Sequence, residues 1–204
     1  MTAARVSGTE GYAAEAEALV EQYESLRFAD IHEQVLHLIP DAPCRVLDIG
    51  AGTGRDAAAF AAMGHAVVAV EPTAELRERA AALHPSPRIE WLDDDLPDLA
   101  RLAGRRESFD VVMLTAVWMH LDEPQRRRAM PRVASLVRPG GAAILSLRHG
   151  PVPPGRRMFG VSAEETTRLA AAEGLGVVLR LENRADSLNC PGVSWTRLAL
   201  SKPA

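Results

Sequence analysis

The residues best suited to chemistry in this chain lie in a glycine-rich loop. Residues 45–56 read RVLDIGAGTGRD, an apolar run that reaches Gly50, Gly52 and Gly54 and is followed at once by an alanine-rich segment. This pattern predicts a strand, a tight loop and the start of a helix. Glycines leave the loop backbone open to a ligand and allow dihedral angles that residues with a Cβ avoid. The free amides of the new helix would face that ligand.

Two acidic residues accompany the loop. Asp48 lies within the first predicted strand, and Glu71 closes a second apolar run at residues 66–70. A carboxylate at the tip of the second strand can accept hydrogen bonds from both ribose hydroxyls of a nucleoside. The dinucleotide fingerprint G-x-G-x-x-G is broken by Arg55, which occupies the place of its last glycine. The pattern therefore favours a nucleoside-bearing ligand over a nicotinamide dinucleotide.

The sequences VLDIGAGTG and VVAVEP together resemble the first two motifs of the class I S-adenosylmethionine-dependent methyltransferases, and the resemblance extends over roughly residues 46–150. It implies that S-adenosyl-L-methionine is the cofactor and S-adenosyl-L-homocysteine the product. It also implies a set of cofactor-binding residues: Asp48, Gly50, Ala51, Gly52, Gly54, Glu71, Pro72, Asp94, Asp95, Leu96 and Thr115.

Three consecutive acids, Asp93, Asp94 and Asp95, follow a third predicted strand at residues 89–92. In the family that the chain resembles, an acid at this place accepts from the adenine amine, and the next residue packs on the ring. Counting from the strand makes Asp95 the better match, with Leu96 on the ring, and Asp94 the second. Judged from the residues alone, the triplet is a solvated loop and a helix N-cap. We expect two of the three acids to have that structural role.

Strands and helices alternate along the chain, which indicates an α/β fold with a doubly wound, mostly parallel sheet and right-handed crossovers. The resemblance implies seven strands in a Rossmann-like sheet. Apolar residues at steps of three and four predict one helix over residues 9–27 and a second that ends at Pro40. By resemblance these helices cap the open end of the sheet. We therefore divide the chain into an N-terminal helical cap, residues 1–40, and an S-adenosylmethionine-binding α/β domain, residues 41–204, as one compact unit.

Ligands of such sheets bind outside the carboxyl ends of the strands. Of the six histidines, this rule places His65 and His84, which precede strands, on the opposite face, where we expect packing roles. It places four other side chains on the binding face: Thr115, His120, Arg148 and His149.

These positions suggest catalytic roles. Methyl transfer from a sulfonium requires the acceptor, the methyl group and the sulfur to be held in line, and a general base helps only where the acceptor loses a proton. His120 and His149 are the candidate bases, and Arg148 is suited to a carboxylate of the substrate or cofactor. Tyr23 resembles the tyrosine of the family's N-terminal helix that faces the cofactor, although its spacing also fits a core stripe. Tyr12 is assigned to the core stripe.

Composition narrows the function classes. With 204 residues and 47% hydrophobic composition, the chain can bury one substantial core. A net charge of -4 provides no general attraction to nucleic acid or anionic lipid. The arginine clusters at residues 105–106, 126–128 and 156–157 lie beside acids and are interpreted as solvated surface. We find no leader-like segment, long apolar span or metal motif. We expect a cytoplasmic monomer or homodimer, and the arginine and alanine usage is typical of GC-rich bacterial genomes.

The segment after the fourth strand bears on the substrate. Residues 115–118 read TAVW, where the amino-methylating nucleic-acid enzymes of this family carry N-P-P-Y or D-P-P-Y. A small-molecule acceptor is therefore expected by elimination. Two alternatives remain open: an enzyme that transfers or cyclises the aminocarboxypropyl chain of the same sulfonium, and a non-catalytic module that only binds it.

Overall fold

The computed structural model describes residues 6–204. Its α-helices are α1 (Ala16–Glu24), α2 (Phe28–His32), α3 (Arg55–Ala62), α4 (Ala74–Leu83), α5 (Glu123–Leu136) and α6 (Ala163–Ala172). Its strands are β1 (Arg45–Ile49), β2 (Ala66–Val70), β3 (Ile89–Leu92), β4 (Phe109–Leu114), β5 (Val137–His149), β6 (Gly176–Ala185) and β7 (Ser194–Ser201). Short 3-10 helices span Leu36–Leu38, Ala100–Leu102 and Trp118–His120.

The strands form one seven-stranded sheet in the order β3-β2-β1-β4-β5-β7-β6. The pairs from β3 through β5 are parallel, and β7 runs antiparallel to both β5 and β6. This confirms the predicted doubly wound, mostly parallel sheet. The winding reverses between β1 and β4, which is where such sheets open a crevice at the carboxyl ends of their strands.

The central strands are buried on both faces because helices cover each side of the sheet. Leu47 and Ile49 of β1 pack into the cluster that includes residues of α5 and α6. Val46, which points to the other face, packs with Phe28 of α2 and Phe60 of α3. This explains why β1 and β4 read as nearly continuous apolar runs.

The helical cap differs from the sequence expectation. Residues 10–15 form turns, and α1 begins only at Ala16. Gly11 has a φ of 82°, a left-handed conformation that interrupts a helix. The second predicted helix is divided between α2 and the 3-10 helix Leu36–Leu38. Within residues 6–204, no helix combines the length and the apolar character needed to cross a membrane.

Helix α5 begins as the sequence predicts. Asp122 accepts from the Gln125 backbone amide at 2.9 Å, and the Gln125 side chain accepts from the Asp122 amide at 2.9 Å, with Pro124 in the first turn. This capping box fixes the direction in which the chain leaves the 3-10 helix Trp118–His120. The position of His120 therefore depends in part on the capping box formed by Asp122 and Gln125.

Replacement of Phe60 by Ala should lower the free energy of unfolding by about 3–5 kcal/mol, because it removes a fully buried ring from the cluster beneath the cap. The Phe60 ring centroid lies 5.1 Å from that of Phe28. Urea unfolding monitored by circular dichroism measures the change. Met63→Ala, at a neighbouring position that is 45% exposed, is the control and should change stability by less than about 0.5 kcal/mol. Equal losses in the two variants would contradict this view of the core.

Candidate active site

A cavity of about 480 Å³ lies at the carboxyl ends of the parallel strands, beneath the N-terminal segment and α1. The cavity brings together ten of the predicted cofactor-binding residues: Asp48, Gly50, Ala51, Gly52, Glu71, Pro72, Asp94, Asp95, Leu96 and Thr115. Three of the predicted catalytic residues also line it: Tyr23, His120 and Arg148.

The glycines of the loop have different roles. Gly50 has a φ of 71°, and a Cβ built there would lie 2.5 Å from Val117 Cγ2. Gly54 has a φ of 87° and precedes α3, but it does not line the cavity. A Cβ at Gly54 would lie 2.8 Å from the Trp91 ring, so this glycine permits close packing of the loop on β3. The structure shows this packing role for Gly54, and its contact with a ligand stays a prediction.

Glu71 joins the loop to the end of β2. The residue is 5% exposed, and its carboxylate accepts from the Gly52 amide at 2.9 Å and from the Thr73 amide at 2.8 Å. Burial raises the pKa of Glu71, against the opposing effect of the two amides and of Arg77. Each carboxylate oxygen carries two lone pairs, so Glu71 retains acceptor capacity on the side that faces the cavity.

Asp48 is a buried acid without a full set of partners. The residue is 1% exposed, and its Oδ2 has no hydrogen-bond partner in the described part of the chain. Burial and the nearby charge of Asp56 raise the pKa of Asp48. A buried oxygen that lacks a donor is costly. The position therefore suits a ligand that brings a cationic or N–H group.

The three acids after β3 differ in whether other groups of the protein occupy their carboxylates. Asp94 accepts from the backbone amides of Asp95 at 3.0 Å and Arg101 at 2.9 Å, so it holds the turn. Asp93 pairs with Arg77 at 3.3 Å. Burial and the neighbouring acids raise the pKa of Asp95, which lines the cavity. This arrangement leaves Asp95 as the acid best placed to meet a ligand.

His120 forms a hydrogen-bonded pair with Tyr12. The Tyr12 hydroxyl lies 3.0 Å from His120 Nε2, and His120 Nδ1 lies 2.9 Å from the Arg157 carbonyl oxygen. A carbonyl only accepts, so Nδ1 carries the hydrogen and Nε2 accepts from Tyr12. Burial lowers the pKa of His120 and raises that of Tyr12. Both effects favour a neutral imidazole beside a protonated phenol.

The assignment of Tyr12 to a core stripe is incomplete, because Tyr12 lines the cavity and its hydroxyl contacts His120. Arg156 covers the tyrosine ring, with its guanidinium carbon 4.2 Å from the ring centroid. The same guanidinium pairs with Glu15 at 2.7 Å, and the Arg156 side chain is only 6% exposed. The interpretation of this arginine as solvated surface is therefore wrong. Tyr12 and His120 are 108 residues apart, and no local pattern could have paired them.

Two histidine assignments also change. His149 does not line the cavity, and its Nε2 lies 2.8 Å from the Thr196 hydroxyl, so the structure does not bring this candidate base to the site. His84 was expected on the opposite face, but it lies 3.3 Å from Glu24 of the cap and packs beside Gly54. α4 carries it back toward the glycine loop.

Asp56 connects α2 of the N-terminal cap to Thr115, which lines the cavity. Its carboxylate contacts His32 Nε2 and Arg55 Nε, both at 2.8 Å, and accepts from the Thr115 hydroxyl at 3.0 Å. Burial opposes ionisation, but the charges and hydrogen bonds of His32 and Arg55 hold the pKa of Asp56 well below its usual range. This network positions Thr115 beside α2 and α3.

Comparison with known proteins gives a consistent result. Residues 46–141 match the model of a methyltransferase domain. The chain is 34% identical over 129 residues to an uncharacterized methyltransferase of Mycobacterium tuberculosis, and the alignment covers 60% of this chain and 47% of the relative. It is 29% identical over 161 residues to human glycine N-methyltransferase, with 65% and 53% covered. The chain thus spans about half the length of these curated relatives.

Solved structures share the fold. The putative methyltransferase in a complex with the Haloferax volcanii Trm112 activator has a TM-score of 0.77 at 15% identity, covering 96% of this chain and 99% of that one. The 1,6-didemethyltoxoflavin-N1-methyltransferase of Burkholderia thailandensis has a TM-score of 0.64 at 21% identity, covering 100% and 94%.

The variant His120→Gln should lose less stability on acidification than the wild type. Burial lowers the folded-state pKa of His120, so the unfolded chain binds more protons below about pH 6.5. The contribution of neutral His120 is present above that pH and is lost as the pH falls through the folded-state pKa. Urea unfolding at about pH 7.5 and about pH 5 measures the difference. The exposed His37→Gln is the control, and an identical pH dependence in His120→Gln and wild type would refute the assignment.

Proposed function

We propose that the chain is a class I S-adenosylmethionine-dependent methyltransferase that transfers a methyl group from S-adenosylmethionine to a small-molecule acceptor. The match of residues 46–141 to a methyltransferase domain and the likeness to curated methyltransferases support this proposal. The observation that carries this proposal is the hydrogen bond from Gly52 to Glu71 in the cavity. It places an open glycine backbone beside a buried carboxylate that still has acceptor capacity.

The residues of the cavity fit this cofactor. Glu71 can accept from the ribose hydroxyls, and Asp95 can accept from the adenine amine. The unpartnered Oδ2 of Asp48 suits the ammonium group of the methionine part. A Cβ at Gly52 would meet no atom closer than 4.0 Å, so the backbone there is open to close approach. When bound, the cofactor supplies an electrophilic methyl group on a sulfonium.

Tyr12 and His120 can handle a proton from the acceptor. An acceptor O–H or N–H at Tyr12 gives its proton to the phenol oxygen, while the phenol proton moves to His120 Nε2. The hydrogen bond from Nδ1 to the Arg157 carbonyl holds the ring in place and stabilises the imidazolium that forms. Removal of water by the covering N-terminal segment strengthens these interactions.

The size of the cavity supports a small acceptor, because about 480 Å³ falls within the range of small-molecule sites. The toxoflavin-precursor methyltransferase among the solved structures was crystallised with its small-molecule substrate. The net charge of -4 is consistent with a partner other than nucleic acid or a membrane. We further propose a cytoplasmic monomer or homodimer in which residues 1–40 cap the domain at residues 41–204.

Glu71→Gln should weaken the binding of S-adenosylhomocysteine by about 1–3 kcal/mol, because it removes the charge that strengthens the ribose hydrogen bonds. Glutamine has nearly the same shape, but its NH2 group cannot accept from one of the two backbone amides that Glu71 holds, so circular dichroism is used to verify that the variant folds. Isothermal titration calorimetry measures the affinity. Glu75→Gln, at an exposed position in α4, is the matched control. Unchanged affinity in Glu71→Gln would remove this residue from the ribose role.

Incubation with S-adenosylmethionine and a library of small-molecule acceptors should yield S-adenosylhomocysteine, which mass spectrometry detects. Methylthioadenosine as the product would indicate aminocarboxypropyl chemistry instead, and binding without any product would indicate a non-catalytic module.

With an active acceptor, Tyr12→Phe should lower kcat by about 100-fold or more and leave the affinity for S-adenosylhomocysteine unchanged. An unaltered kcat would exclude Tyr12 and His120 from proton transfer.

A further inference from the structure

Two arginine side chains in the cavity have no carboxylate partner among residues 6–204. Arg148 of β5 donates to the Pro151 carbonyl at 2.8 Å, and Arg197 of β7 donates to the Ile31 carbonyl at 3.1 Å. Both residues line the cavity. Arg197 is 9% exposed, and its guanidinium carbon lies 5.9 Å from the centroid of the Trp195 ring. The guanidinium is thus a nearly buried charge whose contacts among the described residues are a neutral oxygen and an aromatic ring.

The acids near these two arginines are already engaged. Asp56 is held by His32, Arg55 and Thr115. Asp186, which also lines the cavity, accepts from the Trp195 indole at 2.7 Å and from the Cys190 amide at 2.9 Å.

The other two arginines that line the cavity are paired with carboxylates. Arg156 pairs with Glu15 at 2.7 Å, and Arg55 pairs with Asp56 at 2.8 Å. Arg148 and Arg197 are therefore the cavity arginines whose charge no carboxylate among residues 6–204 neutralises directly.

The register of the sheet puts the two free guanidinium groups on one face. Arg197 lies opposite Ser146, and Arg148 lies opposite Trp195. Directly opposed residues of an antiparallel pair share a face, as do residues two apart on one strand. Arg148 and Arg197 are thus diagonal neighbours with Cβ atoms about 7–8 Å apart. Two arginine side chains at that separation can reach a single anion.

Burial makes the charge of Arg197 costly, and the charge of Asp56 offsets part of that cost. Burial lowers the pKa of Arg197 to about 10, although Asp56 acts in the opposite direction. Even so, the guanidinium remains protonated near neutral pH. A buried charge is costly unless an opposite charge or a full set of hydrogen bonds accompanies it. An anionic ligand would supply both, since carboxylates and phosphates accept paired hydrogen bonds from arginine.

We propose that Arg197 and Arg148 bind an anionic group, a carboxylate or a phosphate, of the methyl acceptor. The proposal rests on the proposed function, since it names the acceptor class for the same cavity. The cofactor also contains a carboxylate, but the ribose anchor Glu71 follows β2, and β7 lies four strand positions away in the sheet. Arg148 instead lies close enough to His120 to influence its pKa, so the anion would be held on the proton-transfer side.

The test uses protein saturated with S-adenosylhomocysteine and titrated with benzoate, phenyl phosphate or neutral benzamide in a calorimeter. We expect at least one of the two anions to bind and benzamide to bind at least about tenfold more weakly. Arg197→Gln and Arg148→Gln should each weaken anion binding at least about tenfold and leave the affinity for S-adenosylhomocysteine within about twofold. Arg168→Gln, at an exposed position in α6, is the control with the same loss of charge.

Three results would overturn the proposal. Benzamide could bind as tightly as the anions, or neither anion could bind. Both arginine variants could bind the anions as tightly as the wild type does. Because Arg148 is only half-buried, Arg148→Gln tests the proposal even if Arg197→Gln fails to fold. Finally, the variants could lose affinity for S-adenosylhomocysteine but not for methylthioadenosine, which lacks the carboxylate, and the arginines would then hold the cofactor. Failure of the wild type to bind S-adenosylhomocysteine would instead refute the proposed function.

Discussion

The arrangement of the cavity depends on one buried carboxylate. Glu71 accepts from the amides of Gly52 and Thr73. It therefore holds the glycine loop against the segment that connects β2 to α4. Without this acceptor, two backbone amides would lose their partner, and each buried unpaired amide costs about 1–3 kcal/mol. The same side chain therefore shapes the loop and presents oxygen atoms to the ligand. The other parts of the site are built outward from this contact.

The charges around the cavity are separated along the sheet. On one side, Asp48 lies in β1 with an Oδ2 that has no partner among residues 6–204, and Asp95 follows β3 and lines the cavity. On the other side, β5 and β7 carry the two arginines that have no carboxylate partner in that part of the chain. Between them, β4 and the segment after it provide Thr115 and the histidine that holds the Tyr12 hydroxyl. This separation gives the cavity two ends with opposite ligand preferences. In our account the acidic end takes the amine and hydroxyl groups of the cofactor, and the basic end takes an anionic acceptor.

The sequence predicted the features that depend on local patterns. Apolar runs predicted the strands, and the alternation of strands and helices predicted a mostly parallel sheet. The spacing of Asp122 and Gln125 predicted the capping box of α5. The sequence could not predict pairs that form across the fold. The contact between Tyr12 and His120 depends on the turns that replace the start of the first predicted helix. The burial of Arg197 depends on the position of β7 between β5 and β6. The rule on strand ends also failed to place His149, which is the last residue of β5 and whose Nε2 contacts the Thr196 hydroxyl of β7.

A crystal structure of the protein with S-adenosylhomocysteine tests the central claim most directly. The account predicts both ribose hydroxyls within hydrogen-bond distance of the Glu71 carboxylate, about 2.6–3.0 Å, with the ligand lying against the backbone of Gly52 and its amine near Asp48. A ligand bound elsewhere, or ribose hydroxyls that point away from Glu71, would contradict the account even though the fold would stand.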